Sequence, residues 1–339
     1  MRQIPVEEAI GQVLCHDLTR IVNGKMKGPQ FRKGHVIQES DIPMLLSMGK
    51  RTVFVWEMIE GMVHENDAAE RLLAICQSAN MLPSEVREGK IELKATCDGL
   101  FQVDTDRLNQ INSIDEIMIA TRHSNTVVHP GDKLAGMRVI PLVVSEQKLL
   151  QAEKIGKNVP ILEVHPFTLK KAGIVTTGSE VSQGIIQDTF TPVLIEKLKE
   201  YSIEIISHLT VDDQKENIIS AIGEVRTSGA DVILCTGGMS VDPDDNTPAA
   251  IRDSGAEIIT YGTPVLPGAM FLTGYFEGGT PVLGLPGCVM YEKATVFDLV
   301  MPRIAAGIRM QKQDFIQMGN GGLCLGCPTC HYPICPFGK

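Results

Sequence analysis

The second half of the chain alternates short apolar runs with amphipathic stretches. The apolar runs predict strands at 172–176, 203–209, 231–235, 257–260 and 281–285. Apolar residues that recur every three or four positions predict helices at 190–201, 213–228, 247–254 and 289–306. Strands that alternate with helices indicate an α/β fold, with a mainly parallel sheet and helices on both faces. Ligands of such sheets bind beyond the carboxyl ends of the strands, so the loops at that edge are the first candidates for function.

The first half of the chain is less regular and predicts smaller α+β and β regions. The pattern predicts a short amphipathic helix at 5–14, a helix that follows the N-cap Ser40, and a strand at 52–56. It then predicts a helix at 66–79 and strands within 91–103 and 126–144. We therefore divide the chain into an N-terminal α+β segment (1–56), a middle mixed α/β or barrel-like region (57–165), the parallel α/β domain (166–310) and a tail (311–339).

Composition and charge limit the classes of partner. The chain has 339 residues, of which 43% are hydrophobic, and a formal net charge of -10. An acidic protein has no general attraction for nucleic acid or an anionic membrane, so an anionic ligand must be held by a local site. The apolar run at 139–144 is too short to span a bilayer, and the N-terminus lacks the apolar core of a signal peptide. We expect a cytoplasmic protein with no membrane and no nucleic-acid partner.

Polar and glycine-rich loops follow four of the predicted strands, at 176–180, 211–213, 236–245 and 284–287. The backbone near Gly237 and Gly238 can approach an anion closely, because glycine has no side chain. Glu180, Asp212 and Asp245 carry the oxygen ligands that Mg²⁺ prefers. Each loop alone is more often a tight turn or a helix cap. Their shared placement at the ends of successive strands favours a phosphate-bearing ligand handled with a metal.

The tail carries a dense cluster of cysteines. Cys324, Cys327, Cys330 and Cys335 are closely spaced, whereas the other five cysteines are scattered along the chain. Clustered thiols in a reducing compartment are typical of metal sites. The spacing suits a [4Fe–4S] cluster or a four-cysteine Zn²⁺ site and does not decide between them, and His331 is an alternative ligand. Two interpretations remain, namely a tail of reduced, metal-free thiols and a tail whose thiols pass molybdenum or sulfur to a partner.

Several short motifs at the strand ends occur together in one known family. They are Thr177-Gly-Ser-Glu180, Asp188, Val211-Asp212-Asp213, Thr236-Gly-Gly-Met-Ser-Val, Asp245 and Gly284-Leu-Pro-Gly287. In this order and at these intervals they resemble the molybdopterin-binding domain of molybdenum-cofactor biosynthesis. The resemblance is greatest to the molybdopterin molybdenumtransferase branch, the gephyrin E-domain type, and covers about 170–307.

The resemblance implies an enzyme that inserts molybdate into adenylated molybdopterin and releases AMP in the presence of Mg²⁺. It implies that Glu180, Asp212 and Asp245 are catalytic and hold the magnesium. It further implies that molybdopterin and its phosphate are bound by residues of the same loops, namely Thr177, Gly178, Ser179, Asp188, Gly237, Gly238, Ser240, Pro286 and Gly287. A homodimer is also implied.

Two departures from the family pattern support an alternative function. Where the family carries lysines, the segment 265–270 of this chain is apolar, and Gly287 is followed by Cys288 instead of an asparagine. The alternative is a non-catalytic carrier of molybdopterin or of the molybdenum cofactor, or a maturation chaperone with a molybdoenzyme as its partner. A third interpretation is a nucleotide hydrolase, because the same domain occurs in the competence-damage-inducible type of pyrophosphatase.

Overall fold

The computed structural model of the chain describes residues 2–22, 26–55, 60–157, 159–243 and 245–339. In chain order the strands are β1 (Arg2–Pro5), β2 (Leu18–Val22), β3 (Met26–Phe31), β4 (Thr52–Val55), β5 (Met62–His64), β6 (Met81–Pro83), β7 (Lys90–Ala95), β8 (Gly99–Val103), β9 (Ile117–Thr121), β10 (Thr126–Val128), β11 (Lys133–Val139), β12 (Val143–Ser145), β13 (Leu162–Pro166), β14 (Lys171–Thr177), β15 (Glu204–Val211), β16 (Val232–Thr236), β17 (Glu257–Tyr261), β18 (Leu272–Tyr275) and β19 (Pro281–Leu285). The α-helices are α1 (Ile42–Ser47), α2 (Glu65–Cys76), α3 (Thr105–Asn112), α4 (Glu146–Gly156), α5 (Ser179–Ser182), α6 (Phe190–Lys199), α7 (Lys215–Thr227), α8 (Thr247–Asp253), α9 (Val296–Ala305) and α10 (Lys312–Gln317). None of the helices in these ranges combines the length and the apolar character needed to cross a membrane.

The chain forms two compact units, each assembled from separate stretches of sequence. The first comprises Met1–Lys94, Val103–Arg122 and Lys133–Glu163, and the second comprises Ala95–Gln102, His123–Asp132 and Val164–Lys339. The region 57–165, which we predicted as a segment of its own, is therefore divided between the two units. The reason is long-range pairing, since β8 lies between β10 and β13 in one small sheet. Local sequence patterns carry no information about such pairing.

A six-stranded sheet with the order β15-β14-β16-β19-β18-β17 forms the centre of the second unit. The first four strands are parallel neighbours, whereas β18 is antiparallel to both β19 and β17. Strands β16 and β19 are buried along their whole length, as is β14 after its first residue. Parallel strands that are covered on both faces read as continuous apolar runs, as these do. The predicted α/β fold with a mainly parallel sheet is confirmed.

Helices cover both faces of this sheet, as predicted. On one face α6 and α9 pack over a cluster that includes Leu194 and Leu234. On the other face α7 and α8 pack over a cluster that includes Ile222 and Ile233. Leu234 and Ile233 are adjacent residues of β16, and successive side chains of a strand point to opposite faces. The sheet is therefore the middle of three layers.

Two details of the second unit differ from the sequence prediction. The last long helix begins at Val296 and not at 289, because residues Gly287–Met290 form a separate turn of 3₁₀ helix. Thr295 then starts α9 through a capping box with Asp298. Strand β18 was not predicted, because four residues that include a glycine give too short a pattern.

The first unit contains small sheets and the helices α1 to α4. The predicted helix at 5–14 is wrong, since the structure has strand β1 followed by one 3₁₀ turn, Val6–Glu8. β1 instead pairs with β4, which bears out the predicted strand at 52–56 as far as Val55. Trp56 lies outside the described residues. The helix after Ser40 is confirmed as α1, although its N-cap is Asp41, and the antiparallel pair β2–β3 was not predicted.

Candidate functional site

The four candidate loops lie together at one edge of the large sheet. β15, β14, β16 and β19 are parallel neighbours, and they end at Val211, Thr177, Thr236 and Leu285. Each of these last residues is followed directly by one of the loops that we selected from the sequence. Because parallel strands point the same way, their carboxyl ends share one edge. We call this the carboxyl edge.

The turn after β16 is built for close approach to its backbone. Gly237 and Gly238 both have positive φ, at +86° and +55°. A Cβ on Gly237 would collide with the backbone carbonyl of Thr177 on the neighbouring strand. Within the described residues, the backbone N–H groups of 237–240 donate no hydrogen bond. The turn therefore presents a row of consecutive donors, which is the arrangement that binds anions.

Contacts beneath the turn hold it in place. The Oγ1 atoms of Thr177 and Thr247 are 3.1 Å apart, and the backbone N–H of Thr247 donates to the carbonyl of Gly238 at 3.3 Å. The side chain of Met239 is buried and packs against Gly284 of β19, where a Cβ would collide with it. The turn after β16 is thus tied to β14, to β19 and to the start of α8. These contacts fix the position of the backbone N–H groups of the turn.

The loops after β14 and β15 are joined by Asp213. Its Oδ2 accepts hydrogen bonds from the backbone N–H of Ser179 at 2.8 Å and from Ser179 Oγ at 2.9 Å. Its backbone carbonyl accepts a bond from Asn246 Nδ2 at 2.9 Å, which reaches the loop before α8. We selected Asp212 from the sequence, but Asp213 is the acid that contacts the Thr-Gly-Ser turn. Its position beside Asp212 at the start of a helix was the available signal.

The three acids proposed as magnesium ligands have different surroundings. Asp212 accepts bonds from the backbone N–H of Gln214 at 3.1 Å and from Asn217 Nδ2 at 2.8 Å, and so ties the turn after β15 to the start of α7. Asp245 accepts a bond from the backbone N–H of Asp242 at 2.9 Å and so closes its own loop. Glu180 is exposed, and its carboxylate has no partner among the described residues. Asp244, a further acid of this loop, lies outside those residues.

The three acids do not form a ready-made magnesium site among the described residues. Across the described ranges, no three side chains of His, Cys, Asp or Glu are grouped so as to hold a metal ion. Magnesium requires near-octahedral oxygen ligands at about 2.1 Å, and two of the three carboxylates already serve as loop caps. Magnesium binding by Glu180, Asp212 and Asp245 therefore stays a prediction, and we derive no chemical step from it.

Asp188 belongs to a polar cluster beside the edge strand β15. Its Oδ2 accepts a bond from Thr191 Oγ1 at 2.6 Å, and its Oδ1 accepts from the backbone of Phe190 and Thr191. His208 Nε2 lies 3.4 Å from the same Oδ2 and 3.0 Å from Thr176 Oγ1. Burial raises the pKa of Asp188, but its hydrogen bonds and His208 outweigh that effect and leave the pKa lowered. The carboxylate is therefore held ionised.

His208 was not selected from the sequence. It lies far in sequence from any other histidine or cysteine, so its spacing gave no signal. The structure places it, one-third exposed, next to Asp188, which we did select. Only strand pairing brings these two residues together, so the sequence contained no local signal for it.

The remaining predicted residues lie along the rim of the carboxyl edge. Ser240 is exposed, and its backbone carbonyl accepts a bond from Tyr261 Oη at 3.2 Å. Burial, and then the charge of Asp245, raise the pKa of Tyr261, so its hydroxyl stays protonated and donates. Pro286 is buried, whereas Gly287 is exposed and begins the 3₁₀ turn after β19. Tyr261 was not identified from the sequence.

The cysteine tail lies beside the residues that follow β19 in the second unit. Cys324, Cys327, Cys330 and Cys335 all line one cavity, together with residues that follow the 3₁₀ turn, such as Tyr291 and Glu292. Cys324 and Cys335 are partly buried, while Cys327 and Cys330 are exposed. The four cysteines that we grouped by spacing are thus close in space.

Comparison with known families supports the resemblance for the second unit. Residues 173–306 match the model of a family described as "Probable molybdopterin binding domain", and residues 3–57 match one described as "Domain of unknown function (DUF8806)". Residues 173–306, which include most of the large sheet and its helices, are thus similar to molybdopterin-binding domains, which is the coarser part of our prediction.

Individual relatives match shorter stretches. A CinA-like protein of Pseudothermotoga lettingae is 37% identical over 86 residues, which are 25% of this chain and 21% of that protein. A CinA-like protein of Desulfosudis oleivorans is 39% identical over 80 residues, 24% of this chain and 19% of that protein. The chain thus spans about a fifth of the length of these curated relatives. The crystal structure of the molybdopterin biosynthesis enzyme MoaB of Thermus thermophilus has 23% identity and a TM-score of 0.36, and the match covers 41% of this chain and 98% of that one.

Proposed function

We propose that the carboxyl edge binds molybdopterin and that the N–H groups of residues 237–240 hold its phosphate. The observation that carries this proposal is the row of backbone donors, unused within the described residues, on a turn whose underside is packed. Neutral donors fixed by the fold attract an anion without a basic side chain. That matters in a chain with a formal charge of -10, because no overall positive field assists the ligand.

The role that the geometry supports best is that of a carrier of molybdopterin, with a molybdoenzyme as the recipient. Insertion of molybdate needs groups that hold a second anion, and the segment where the resembled family carries lysines has buried Val265 and exposed Leu266 instead. The acids expected to bind magnesium do not converge among the described residues. Binding of molybdopterin alone requires neither the lysines nor a set of converging acids.

A second candidate is the Mg²⁺-dependent insertion of molybdate into adenylated molybdopterin, with release of AMP. The exposed carboxylate of Glu180, which has no partner in the described part of the chain and lies three residues after Thr177 at the carboxyl edge, favours it. A hydrated Mg²⁺ is commonly held by one or two carboxylates and by the phosphates of its substrate. A third candidate, hydrolysis of a dinucleotide, is favoured by the similarity to CinA-like proteins.

Gly238→Ala tests the proposed phosphate site. The added Cβ would lie 2.8 Å from Thr247 Oγ1 and 3.3 Å from Thr177 Oγ1, so the turn must shift and its donors with it. We expect molybdopterin, titrated anaerobically, to bind about tenfold more weakly, which corresponds to the loss of one good hydrogen bond, about 1.4 kcal/mol. Gly229→Ala is the matched control, because Gly229 also has positive φ but has open space around it and precedes β16. No binding by the wild type, or equal weakening in both variants, contradicts the proposal.

Two activity assays separate carrier from enzyme. The chain is first loaded with adenylated molybdopterin, and AMP is then measured after molybdate and Mg²⁺ are added. A carrier releases no AMP above the background without protein, whereas the second candidate requires release that Glu180→Gln abolishes. Dinucleotides offered without a pterin test the third candidate. Turnover of a dinucleotide together with no affinity for molybdopterin would replace our proposal by that one.

A further inference from the structure

We propose that Cys324, Cys327, Cys330 and Cys335 bind a metal centre through their thiolate sulfurs, either a Zn²⁺ ion or an iron–sulfur cluster. This site is distinct from the phosphate site of the carboxyl edge. Its existence does not depend on whether the domain binds molybdopterin.

The two ends of the cysteine segment are anchored to the second unit. At the start, the backbone N–H of Cys324 donates to the carbonyl of Leu266 at 2.8 Å, and the backbone N–H of Leu266 donates to the carbonyl of Gly322 at 2.8 Å. At the end, Tyr332 Oη donates to the carbonyl of Asp298 at 2.9 Å, and Phe337 is buried against the core. The first and last cysteines therefore have fixed surroundings.

The segment between these anchors is free to rearrange. In the described part of the chain, no hydrogen bond involves the backbone of residues 325–330, and every residue of this segment is exposed, including Cys327 and Cys330. Exposed residues without hydrogen bonds can move at little cost in free energy. A loop that is fixed at both ends and untied in the middle can close around an ion.

The cavity at this loop suits a soft metal. It has a volume of about 130 Å³ and is lined by all four cysteines and by His331. One water molecule needs only about 10–15 Å³ of such a volume, so a cluster as well as a single ion has room. Thiolates are the preferred ligands of zinc and of iron–sulfur clusters, and four of them complete either site. No other residue type in the tail offers so many ligands at such short spacing.

Metal binding requires the thiols to converge further than they do in the structure. Within the described residues no three potential ligand side chains already surround one point. A tetrahedral zinc site has Zn–S bonds of about 2.3 Å, so the sulfurs must come within about 4 Å of each other. Cys324 and Cys335 are held against the core cluster, and the exposed pair has to move toward them. Binding should therefore order the loop.

The test uses the full chain, purified without oxygen, with zinc, iron and acid-labile sulfide measured per chain. We expect either about one Zn²⁺, or about four iron and four sulfide with an iron–sulfide absorption band. Cys327→Ser and Cys330→Ser should each lower the metal content at least about twofold. Both side chains are exposed, so these substitutions leave the fold intact, which circular dichroism checks.

Cys97→Ser is the matched control, because Cys97 is a partly exposed free thiol outside the tail. Its metal content should equal that of the wild type. A wild-type chain that holds neither metal, even after incubation with Zn²⁺ or with iron and sulfide under reducing conditions, overturns the proposal. So does a metal content that neither serine variant changes. Because the readout is metal content, failure here leaves the molybdopterin proposal unaffected, and the reverse is also true.

Discussion

Replacement of Asp213 by alanine should loosen the carboxyl edge and weaken binding of the ligand. The substitution removes two hydrogen bonds, those from the backbone N–H and the Oγ of Ser179 to one carboxylate oxygen. It spares the bond from Asn246, because that one is made to the backbone carbonyl of Asp213. The loss is therefore confined to the link between the loops that follow β14 and β15.

The magnitude follows from the charge and the exposure of this pair. Hydrogen bonds to a charged group contribute about 1.5–3 kcal/mol each when they are buried. Asp213 and Ser179 are only partly buried, so water replaces part of what is lost. We expect a total loss of about 1–2 kcal/mol of unfolding free energy. Asp213→Asn keeps an oxygen that can accept both bonds without the charge, and should cost about half as much.

The assay combines unfolding in urea with hydrogen exchange. Asp213→Ala should lower the unfolding free energy and speed exchange in a peptide that covers 178–183, because the N–H of Ser179 loses its partner. The affinity for molybdopterin should fall by about threefold to tenfold through misplacement of the loop.

Asp212→Ala provides the matched control, since Asp212 is the neighbouring acid and accepts hydrogen bonds from Gln214 and Asn217. It should cost a similar free energy, about 1 kcal/mol, but leave exchange at 178–183 and the affinity unchanged. If Asp212→Ala weakens binding more than Asp213→Ala does, our assignment is refuted. The acid selected from the sequence would then be the functional one.

Three further predictions concern the framework of the second unit. Asp188 has a lowered pKa, so its ionised form stabilises the fold above about pH 4, and this stabilisation is lost as the pH falls through the lowered pKa. Asp188→Asn should therefore flatten the dependence of the unfolding free energy on pH below about pH 4, as measured in urea. An unchanged pH dependence contradicts this. Gly173→Ala should lower the unfolding free energy by about 1–3 kcal/mol, because its Cβ would collide with a valine of α7. Gly223→Ala on that helix has open space around it and should raise the unfolding free energy by about 0.5–1 kcal/mol, as measured by thermal unfolding. Lys197→Met should lower the unfolding free energy in urea by about 3 kcal/mol, since it removes the ammonium that lies 2.6 Å from the carboxylate of the mostly buried Asp298. A loss below about 1 kcal/mol would mean that water reaches this carboxylate.

The α/β domain was predictable because its strands are buried on both faces. Val232–Thr236 and Pro281–Leu285 are wholly buried, so each reads as an apolar run that needs no partner to be recognised. The helices between them have one buried stripe, which gives a clear period. Once strands and helices alternate, parallel pairing brings the loops to one edge without further information. Fold and location of the site therefore follow from local patterns.

The side chains that hold the site together were harder to predict. Asp212 and Asp213 are adjacent residues of the same type, so the sequence alone does not distinguish their roles. Only the direction of the chain after β15 decides which one reaches Ser179. His208 meets Asp188 through a strand pairing and a helix start that lie far apart along the chain. The helix predicted at 5–14 failed for a related reason, because the first residues instead pair with β4. Long-range contacts override weak local preferences.

The apolar segment at 265–266 and the start of the cysteine tail lie against each other in space. Leu266 forms a parallel bridge with Leu323, and its backbone is hydrogen-bonded on both sides by the start of the cysteine segment. Val265 is fully buried, so a lysine there would place a charge in the core at a cost of several kcal/mol. An apolar residue at position 265 is therefore compatible with the core beneath the docked tail, whereas a lysine at that position is not. The apolar segment and the start of the cysteine tail therefore form one packed structure, in which the backbone of Leu266 is hydrogen-bonded to both Gly322 and Cys324.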